Sequence, residues 1–268
     1  MKSLKKGILA LVIACAAMAA VPAAAKPVEA AVTVYQSHPI SSLTAKQKNI
    51  AAAIMKKVKN TSRTKVTVTY SCTVNDFVKA WQAIDDSYFR YYSVIHLNAW
   101  KLTRNGKTVG VKVELYPKDS LKRYKRHLAN KAKLKSIAKK ITRGKKTQRA
   151  KVLAINNYVC KKLTWRDNSG TLDVALRTSY AKCTGYATLF MALCEQCGIK
   201  CCQVAGYAGG GHDWNQVRVN GTWYYIDPTW NDGTGNKYTL SKTLWSDHTI
   251  WAKMYVINFR SCGYTFDL

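Results

Sequence analysis

The chain has 268 residues, of which 47% are hydrophobic and 21% are charged, a balance typical of a globular protein with a substantial buried core. This composition excludes wholesale disorder, collagen-like repetition and a small disulfide scaffold. The net charge is +29 and unevenly spread, because residues 1–150 hold 31 basic and 6 acidic side chains, whereas residues 151–268 hold 12 and 8. The two parts of the chain therefore differ in electrostatic character.

The N-terminal segment is typical of a secretory signal peptide. Three lysines fall within the first six residues, and an uncharged apolar run from Gly7 to Ala25 ends in small residues of the kind that precede cleavage. We expect residues 1–25 to be removed, with cleavage as late as residue 31, and the mature protein to be secreted or associated with the cell envelope. Lipid anchoring at Cys15 and a permanent membrane anchor are the alternatives.

Hydrophobic periodicity predicts alternating helices and strands through the first part of the mature chain. The predicted elements are a helix over 44–58, a strand over 65–70, a helix over 76–84 with Asn75 as N-cap, a hairpin of 100–102 with 109–115 around Asn105–Gly106, and helices over 121–141 and 148–161. A break near Gly144 divides the chain into a basic N-terminal region, 32–144, and a second domain, 145–268.

The segment 118–151 is strongly basic, with 15 Lys and Arg against one acidic residue, Asp119. One interpretation is a solvated helical face that suits an anionic cell surface. The other is a docking surface for anionic cell-wall polymers, a membrane surface with anionic lipid, or an acidic protein substrate. Nucleic acid would match the same charge, but no nucleic-acid motif is present and the signal peptide argues against it, so we expect no nucleic-acid partner.

Cys183 is predicted to lie in the first turn of a helix that runs to about Cys197 and stops at Gly198. The residues predicted to share its buried face are Tyr186, Ala187, Phe190, Met191, Leu193, Cys194 and Cys197. Its thiol would face the interior beside unpaired backbone N–H groups and the positive end of the helix dipole, which favour the thiolate. The alternative is a small buried hydrophobic residue, as most free cysteines are.

A β-hairpin is predicted between His212 and Asp227, because Asn220–Gly221 separates two runs of alternating residues. A two-residue loop pairs residue 219 with residue 222, which puts His212 and Asp227 on one face as diagonal neighbours. The hairpin therefore brings an imidazole against a carboxylate. Together with Cys183, the pair has the composition of an activated thiolate, while a structural histidine in a glycine-rich loop is the alternative.

Four motifs in this order resemble the transglutaminase-like superfamily, in particular its exported bacterial members. They are Cys-x-Gly-Tyr-Ala at 183–187, Gly206 after a strand, His-x-Trp-Asn at 212–215 and Gly-x-Trp-Tyr-x-x-Asp-x-Thr-Trp at 221–230. The resemblance covers about residues 148–235. It implies an α+β fold with a papain-like core, in which a nucleophile at a helix N-terminus packs on an antiparallel sheet, preceded by a basic α/β region. Lys182 departs from the small or apolar residue usual in the family, which leaves substrate preference open.

The resemblance implies a catalytic triad of Cys183, His212 and Asp227 in an exported cysteine acyltransferase. The thiolate would attack a protein or peptide carboxamide, the backbone N–H of Cys183 would hold the oxyanion, and His212, oriented by Asp227, would protonate the leaving amine. A thiol peptidase or amidase with the same triad is one alternative, and a catalytically inactive basic cell-wall-binding module is another. The expected partner is a protein or peptide substrate, and neither a cofactor nor a metal is expected.

Several aromatic residues are candidates for roles around this site. Trp165 and Tyr180 are candidates for a side-chain oxyanion donor, and each has simple packing as its alternative. Three tryptophans, Trp214, Trp223 and Trp230, are expected to wall the cleft, again with core packing as the alternative.

The cysteines at 194, 197, 201 and 202 have a spacing that invites a zinc interpretation. The first two are expected on a buried helix face, however, and no histidine flanks the group at a familiar spacing. Cys201 and Cys202 fall in a predicted strand over 200–205, so they should point to opposite faces with only one in the interior. Disulfides are compatible with an exported protein, and their connectivity stays open.

Overall fold

The computed structural model describes residues 32–59, 63–92, 97–167, 170–255 and 266–267, the last two by their backbone. The predicted signal peptide, its cleavage region and Cys15 lie outside the described residues. Over the described ranges, none of the helices combines the length and the apolar character that crossing a membrane requires.

The chain forms a mixed α+β fold, as predicted. Its elements are β1 (Thr33–Tyr35), α1 (Ala45–Lys59), β2 (Val66–Tyr70), α2 (Val74–Tyr88), β3 (Leu97–Arg104), β4 (Lys107–Leu115), α3 (Pro117–Ile141), α4 (Gln148–Lys162), β5 (Thr164–Trp165), α5 (Leu172–Arg177), β6 (Tyr180–Ala181), α6 (Cys183–Gln196), β7 (Cys201–Tyr207), β8 (Gly211–Val219), β9 (Thr222–Ile226), α7 (Pro228–Thr234), β10 (Thr249–Met254) and β11 (Phe266–Asp267). Most of the predicted helices and strands are confirmed to within a few residues.

A five-stranded sheet in the order β1-β10-β7-β8-β9 supports the site. It is antiparallel except where β1 and β10 run parallel. The predicted β8–β9 hairpin is confirmed, with Val219 paired to Thr222. Asn220 and Gly221 have φ values of 50° and 88°, the left-handed backbone that a two-residue hairpin turn needs.

A second sheet, in the order β11-β3-β4-β2, forms the N-terminal part with α1 and α2. The predicted β3–β4 hairpin is confirmed, and it turns at Asn105 and Gly106. The spacing of apolar residues in α1 correctly predicts its buried face, since Ile50, Ile54 and Val58 all enter the core. The same cluster holds Phe77 and other side chains of α2, so this sheet has its own hydrophobic core.

Two helix starts differ from their predicted positions. The N-cap of α2 is Thr73 and not Asn75, because the Thr73 hydroxyl accepts a hydrogen bond from the backbone N–H of Asp76 at 3.0 Å. Helix α3 begins at Pro117, four residues before its predicted start, since proline is well suited to a first helical position, where no backbone donor is required.

Helix α6 is the centre of the second core and is buried on every side rather than on one face. Every residue from Gly185 to Cys194 is buried. The helix packs against α3, α4 and α5 as well as strands β7 and β8. A helix at the protein surface is buried on one side only, but α6 lies inside the protein. The buried face predicted around Cys183 therefore includes only part of the residues that are buried.

The expectation that only one of Cys201 and Cys202 is interior is wrong. Both are buried, because the sheet is covered on its two faces: Cys201 lies in the cluster around α6, and Cys202 packs with Val204 and Trp214 on the opposite face. The seven cysteines of the described residues are free thiols. Burial raises the pKa of Cys201 well above its usual value, so this thiol stays protonated.

Helix α3 connects the two cores, because its Tyr124 packs against the N-terminal cluster of α1 and α2. Leu134 and Ala138 lie in the cluster around α6, while Arg126 and Asn130 donate hydrogen bonds to Asp173 of α5 at 2.7 and 3.0 Å. The outward positions of the helix expose lysines at 118, 122, 125, 131, 135, 139 and 140. The basic segment is thus anchored by one face and solvated on the other.

A buried ion pair makes a second connection between the two parts. Arg90, which follows α2, donates to the Glu195 carboxylate of α6 through its Nε at 3.2 Å and through Nη2. The guanidinium also donates to the backbone oxygen of Tyr255 at 3.1 Å. Both ionic side chains are mostly buried, so removing one partner would leave the other charge unpaired in the interior.

Candidate active site

Cys183 is the first residue of α6 and lies half-buried at a cleft of about 720 Å³. The N-cap residue is Lys182, whose extended backbone starts the helix but whose side chain makes no capping hydrogen bond. The first-turn amides and the positive end of the helix dipole therefore act on the thiol and on any anion beside it. This is the position predicted for the sulfur from the sequence.

His212 lies on β8 between the thiol and a carboxylate. Its Nε2 is 2.7 Å from Oδ2 of Asp227, which leaves Nδ1 as the nitrogen available to Cys183. Burial lowers the pKa of His212, but hydrogen bonds to Asp227 and Cys183 outweigh it and raise the pKa to about 10. His212 is therefore an imidazolium at neutral pH, the partner that a thiolate at Cys183 needs.

Asp227 follows the last residue of β9 and is the N-cap of α7. Its Oδ1 accepts hydrogen bonds from the backbone N–H groups of Thr229 and Trp230, at 2.9 and 3.1 Å, while Oδ2 faces His212. Burial alone would raise the pKa of Asp227, but the hydrogen bonds from His212 and His248 hold it below its usual range. Because the capping bonds fix the carboxylate, it can orient the imidazole.

The three predicted site residues are thus brought together as the resemblance implies. Pairing between β8 and β9 ends at Asn215 and Ile226, so Asp227 leaves the sheet and turns its side chain under the start of α7. The predicted diagonal approach of His212 and Asp227 is confirmed by their short contact.

Trp214 packs against the imidazole of His212, and Gly206 leaves the space for the ring of Trp214. The ring of Trp214 is fully buried and stacks on His212 with centroids 5.9 Å apart. Gly206 lies on the neighbouring strand, and a Cβ there would come within 2.5 Å of Trp214 Cη2 and 1.9 Å of the Thr249 backbone oxygen. Only glycine leaves room for this close approach, which explains the glycine motif in physical terms.

A hydrogen bond joins the two elements that carry the sulfur and the imidazole. The Thr184 hydroxyl, next to Cys183, donates to the carboxyl group of Asp213, next to His212. Burial raises the pKa of Asp213, while hydrogen bonds from Thr184 and Gln203 oppose that rise. The link fastens the first turn of α6 to β8 and so sets the separation of the thiol and the imidazole.

The cleft beside Cys183 is open and aromatic. Its described lining consists of Thr164, Trp165, Cys183, Gly211, His212, Thr229, Trp230, Asp232, Gly233 and Thr234. Trp165 is 55% exposed and lines the cleft, whereas Tyr180 is absent from this lining and its ring lies 4.6 Å from the guanidinium of Arg166. Trp165 is therefore the better placed of the two residues considered as oxyanion donors.

Of the three tryptophans expected to wall the cleft, Trp230 does so. Trp214 lies instead beneath His212, and Trp223 packs against the ring of Tyr255 at 6.2 Å. The expectation fails for Trp214 because its ring is buried behind His212. It fails for Trp223 because this residue pairs with Arg218, six residues along β8 from His212 on the same face of the sheet.

His248 and Asp232 belong to the site but were not predicted from the sequence. His248 Nε2 lies 3.3 Å from Asp227 Oδ2, and its side chain is fully buried. Asp232 is exposed in the cleft and accepts a hydrogen bond from the Tyr186 hydroxyl at 2.8 Å. His248 lies beyond the motifs in a segment without periodicity, so the only local signal was the adjacent Asp247.

Among the described residues, one group could hold a metal ion: His212, Asp227 and His248 offer ligand atoms within 4.8 Å of one another. These atoms already form hydrogen bonds to each other, and aromatic rings surround them. The donor set therefore fits a proton-sharing chain better than a coordination site, since a metal would have to replace the contact that orients His212.

Comparison with known proteins places this site in a recognised core. Residues 135–228 match the family model described as the Transglutaminase-like superfamily. The matched segment contains Cys183, His212 and Asp227. The resemblance predicted from the motifs is confirmed over this segment, which makes up about a third of the chain.

Two curated relatives share a short stretch with this chain. Both are named Kyphoscoliosis peptidase. The protein of Mus musculus is 36% identical over 82 residues, covering 24% of this chain, and that of Homo sapiens is 35% identical over 81 residues, covering 25%. The match spans only 12% of the length of either relative.

Solved structures with partial structural similarity to this chain include a candidate cysteine protease of Cytophaga hutchinsonii and a TGase. The first is 15% identical with a TM-score of 0.39, covering 72% of this chain and 70% of its own. The second is 14% identical with a TM-score of 0.38, covering 71% and 56%. Both TM-scores are below 0.5.

Proposed function

We propose that this protein is a cysteine acyltransferase of transglutaminase type that forms a thioester at Cys183 with a protein or peptide carboxamide. One observation carries the proposal: Cys183 begins a buried helix at an open cleft, beside an imidazolium whose other nitrogen is 2.7 Å from the buried carboxylate of Asp227. A thiol next to an imidazole that is in turn hydrogen-bonded to a carboxylate is the arrangement of a catalytic triad.

The reaction follows from the charges of the site. The Cys183 thiolate attacks the carbonyl carbon of the amide, and the oxyanion forms at the first turn of α6, where backbone N–H groups and the helix dipole stabilise it. His212 gives its proton to the departing nitrogen, which leaves as ammonia or an amine, and a thioester remains on Cys183. His212, now neutral, takes a proton from the incoming nucleophile, which cleaves the thioester and releases the free thiolate.

Hydrolysis is the second candidate function, in which water and not an amine takes the thioester. It is favoured by the name of the two curated relatives, each called a peptidase, although they match only about a quarter of this chain. The first half-reaction at Cys183 is the same in both cases. The two functions therefore differ in the nucleophile that reaches the acylated sulfur.

Incubation of the mature protein with a glutamine-containing protein and a fluorescent primary amine tests both functions. We expect ammonia release and covalent amine incorporation, since transfer produces one new amide bond for each ammonia released. Peptide fragments, or ammonia without incorporation, would favour hydrolysis instead.

Cys183→Ala is the decisive control, and Cys160→Ala is its matched counterpart. Burial raises the pKa of the Cys160 thiol to about 12, and this thiol donates to the backbone oxygen of Pro228, so it is no competing nucleophile. Loss of turnover in Cys183→Ala with retention in Cys160→Ala supports the proposal. Turnover that survives full alkylation of Cys183 would contradict it.

We further propose that the protein works outside the cytoplasm and that the basic face of α3 docks on anionic cell-wall polymers. Support for export is the composition of the first 25 residues, and support for docking is the row of exposed lysines along α3. A polymer with repeated negative charges can contact several lysines of this row at once, whereas a single acidic residue can contact only one or two. Mass spectrometry of the extracellular protein would identify its mature N-terminus, which we expect at or shortly after residue 26.

A further inference from the structure

We infer that His248 donates from both ring nitrogens, to Asp227 and to Asp247, as an imidazolium cation, and that it acts as a positioning residue for the candidate triad. The inference deepens the proposed function, because it assigns the group that keeps Asp227 ionised while His212 gains and loses its proton. Among the described residues, the titratable groups in contact with His248 are His212, Asp227, Asp247 and Tyr238.

Both ring nitrogens of His248 face carboxylate oxygens. Nε2 lies 3.3 Å from Oδ2 of Asp227, and Nδ1 lies 2.6 Å from Oδ1 of Asp247. A neutral imidazole has one N–H donor, so in that state one lone pair would point at a carboxylate oxygen. Only the doubly protonated ring donates in both directions, and the geometry therefore requires the cation whenever both carboxylates are ionised.

The two carboxylates are held in the ionised form by other donors. Asp227 accepts from two backbone N–H groups in its capping role. Asp247 accepts a hydrogen bond from the Tyr238 hydroxyl at 2.8 Å. The side chain of Asp247 is also 44% exposed, and contact with water favours its ionised form. A neutral His248 would have one nitrogen without a proton, and the carboxylate facing that nitrogen would have to be protonated to form a hydrogen bond. Because both carboxylates are ionised, neither can donate such a proton.

Aromatic rings surround the imidazole of His248, whose side chain is fully buried. The ring centroids lie at 4.7 Å for Trp230, 4.8 Å for Trp214, 5.0 Å for Trp245 and 5.6 Å for Tyr238. These rings exclude water from the imidazole, so the cost of burying its charge is offset by the two carboxylates that face its nitrogens. The surroundings of His248 are those of a buried cation with two counter-charges.

The resulting chain of charges alternates in sign: Asp247, His248, Asp227, His212 and the Cys183 thiolate. When His212 gives its proton to the leaving nitrogen, Asp227 would lose its charged partner and become a buried lone anion, which is unfavourable. The cation at His248 remains in place, so Asp227 stays ionised and ready to stabilise the next imidazolium. Because the ring of His248 lies 6.0 Å from that of His212, its charge also restrains the proton affinity of His212.

Nitrogen-15 NMR of the unaltered full chain tests the charge directly. We expect both His248 nitrogens to be protonated at pH 7. The signals are assigned by through-space contacts to the neighbouring rings of Trp230 and Trp214, and by their loss in His248→Gln. His127 is an internal reference for a neutral ring, since its Nδ1 accepts the Tyr91 N–H and burial lowers its pKa to about 4. One unprotonated nitrogen on His248 at pH 7 would overturn the inference, whether or not the variant folds.

The pH profile of Cys183 alkylation by iodoacetate tests the positioning role. The rate for this anionic reagent rises as the thiolate forms and falls as His212 loses its proton. His248→Gln removes a neighbouring positive charge, so we expect the alkaline limb to move upward by about one pH unit. The matched control is His127→Gln, which alters a buried histidine elsewhere and should leave both limbs unchanged. A folded His248→Gln variant with an unmoved alkaline limb would contradict the role.

Neither measurement uses a substrate, so the outcomes separate this inference from the proposed function. If His248 is cationic but the protein turns over no amide, the inference about His248 is supported and the proposed function is contradicted. A neutral His248 in an active enzyme would do the opposite.

Discussion

At the scale of single residues, two buried histidines have opposite protonation states because their partners differ. His127 accepts the backbone N–H of Tyr91 at 3.2 Å and stacks on the rings of Tyr91 and Tyr124. Burial among these neutral groups, with a smaller contribution from the charge of Lys131, lowers its pKa to about 4. His212 is almost as buried, but its partners are a carboxylate and a thiol, which raise its pKa to about 10. The residue type alone therefore does not determine the charge.

These states predict how stability depends on pH. An unfolded histidine titrates near 6.5, so a folded His127 with a pKa of about 4 contributes stability above pH 6.5 that is lost as the pH falls toward 4. We expect a loss of up to about 3 kcal/mol in the free energy of unfolding from this group. His212 has the opposite sign: its contribution is fully present below pH 6.5 and is lost as the pH rises through about 10.

Urea unfolding of the unaltered protein and of His127→Gln, measured from pH 6.5 to pH 4.5, checks the acidic side. The variant is expected to be less stable than the unaltered protein at pH 6.5, but its stability should depend less steeply on pH. Equal slopes in the two proteins would mean that His127 is not the group responsible.

At the scale of elements, helix starts and hairpin turns create the site. The N-terminus of α6 carries the sulfur, the β8–β9 hairpin carries the imidazole, and the cap of α7 carries the carboxylate. Each of these features is signalled by nearby residues, such as the Asn220–Gly221 turn, so each was predictable. The contacts between elements were not, because Gly206 approaches Thr249 and Trp214 only after β7 pairs with β10 and β8.

Gly206→Ala tests the close approach that supports His212. Its Cβ would meet a backbone oxygen and a buried ring, so we expect a loss of about 1–3 kcal/mol in stability and slower alkylation of Cys183 as Trp214 shifts. Gly210→Ala is the matched control, because nothing lies within 4 Å of the Cβ position there. Thermal unfolding and iodoacetamide rates measure the two effects. Equal behaviour of the two variants would show that Gly206 has no steric role.

At the scale of the whole molecule, the excess of positive charge is concentrated outside the cleft. The outward side of α3 is exposed and lysine-rich, while its inward side joins the core of α6 through Leu134 and Ala138. The cleft instead presents the Asp232 carboxylate beside Cys183. The lysines of α3 can therefore bind an acidic polymer while the cleft stays open to substrate. The attraction between helix and polymer should weaken as added salt screens the charges.

A triple substitution of Lys135, Lys139 and Lys140 to Gln tests this surface. We expect affinity for dextran sulfate at low salt to fall by about tenfold, with amide turnover unchanged in solution. The control is Lys101, Arg104 and Lys107 to Gln, which removes the same charge from the exposed end of the β3–β4 hairpin. Equal losses in the two variants would indicate attraction by net charge alone, and preferential binding to anionic lipid vesicles would identify a membrane instead of a polymer.

The sequence by itself determined where the sulfur, the imidazole and the first carboxylate lie, because each is encoded by residues within one turn or one hairpin. The burial of α6 on all sides, the interior position of both Cys201 and Cys202, and the place of His248 were decided only by the tertiary structure. These depend on which surfaces cover an element, and that information is spread over segments distant in sequence. A histidine outside every motif becomes a neighbour of Asp227 only once β10 has joined the sheet, since no local periodicity records such a contact.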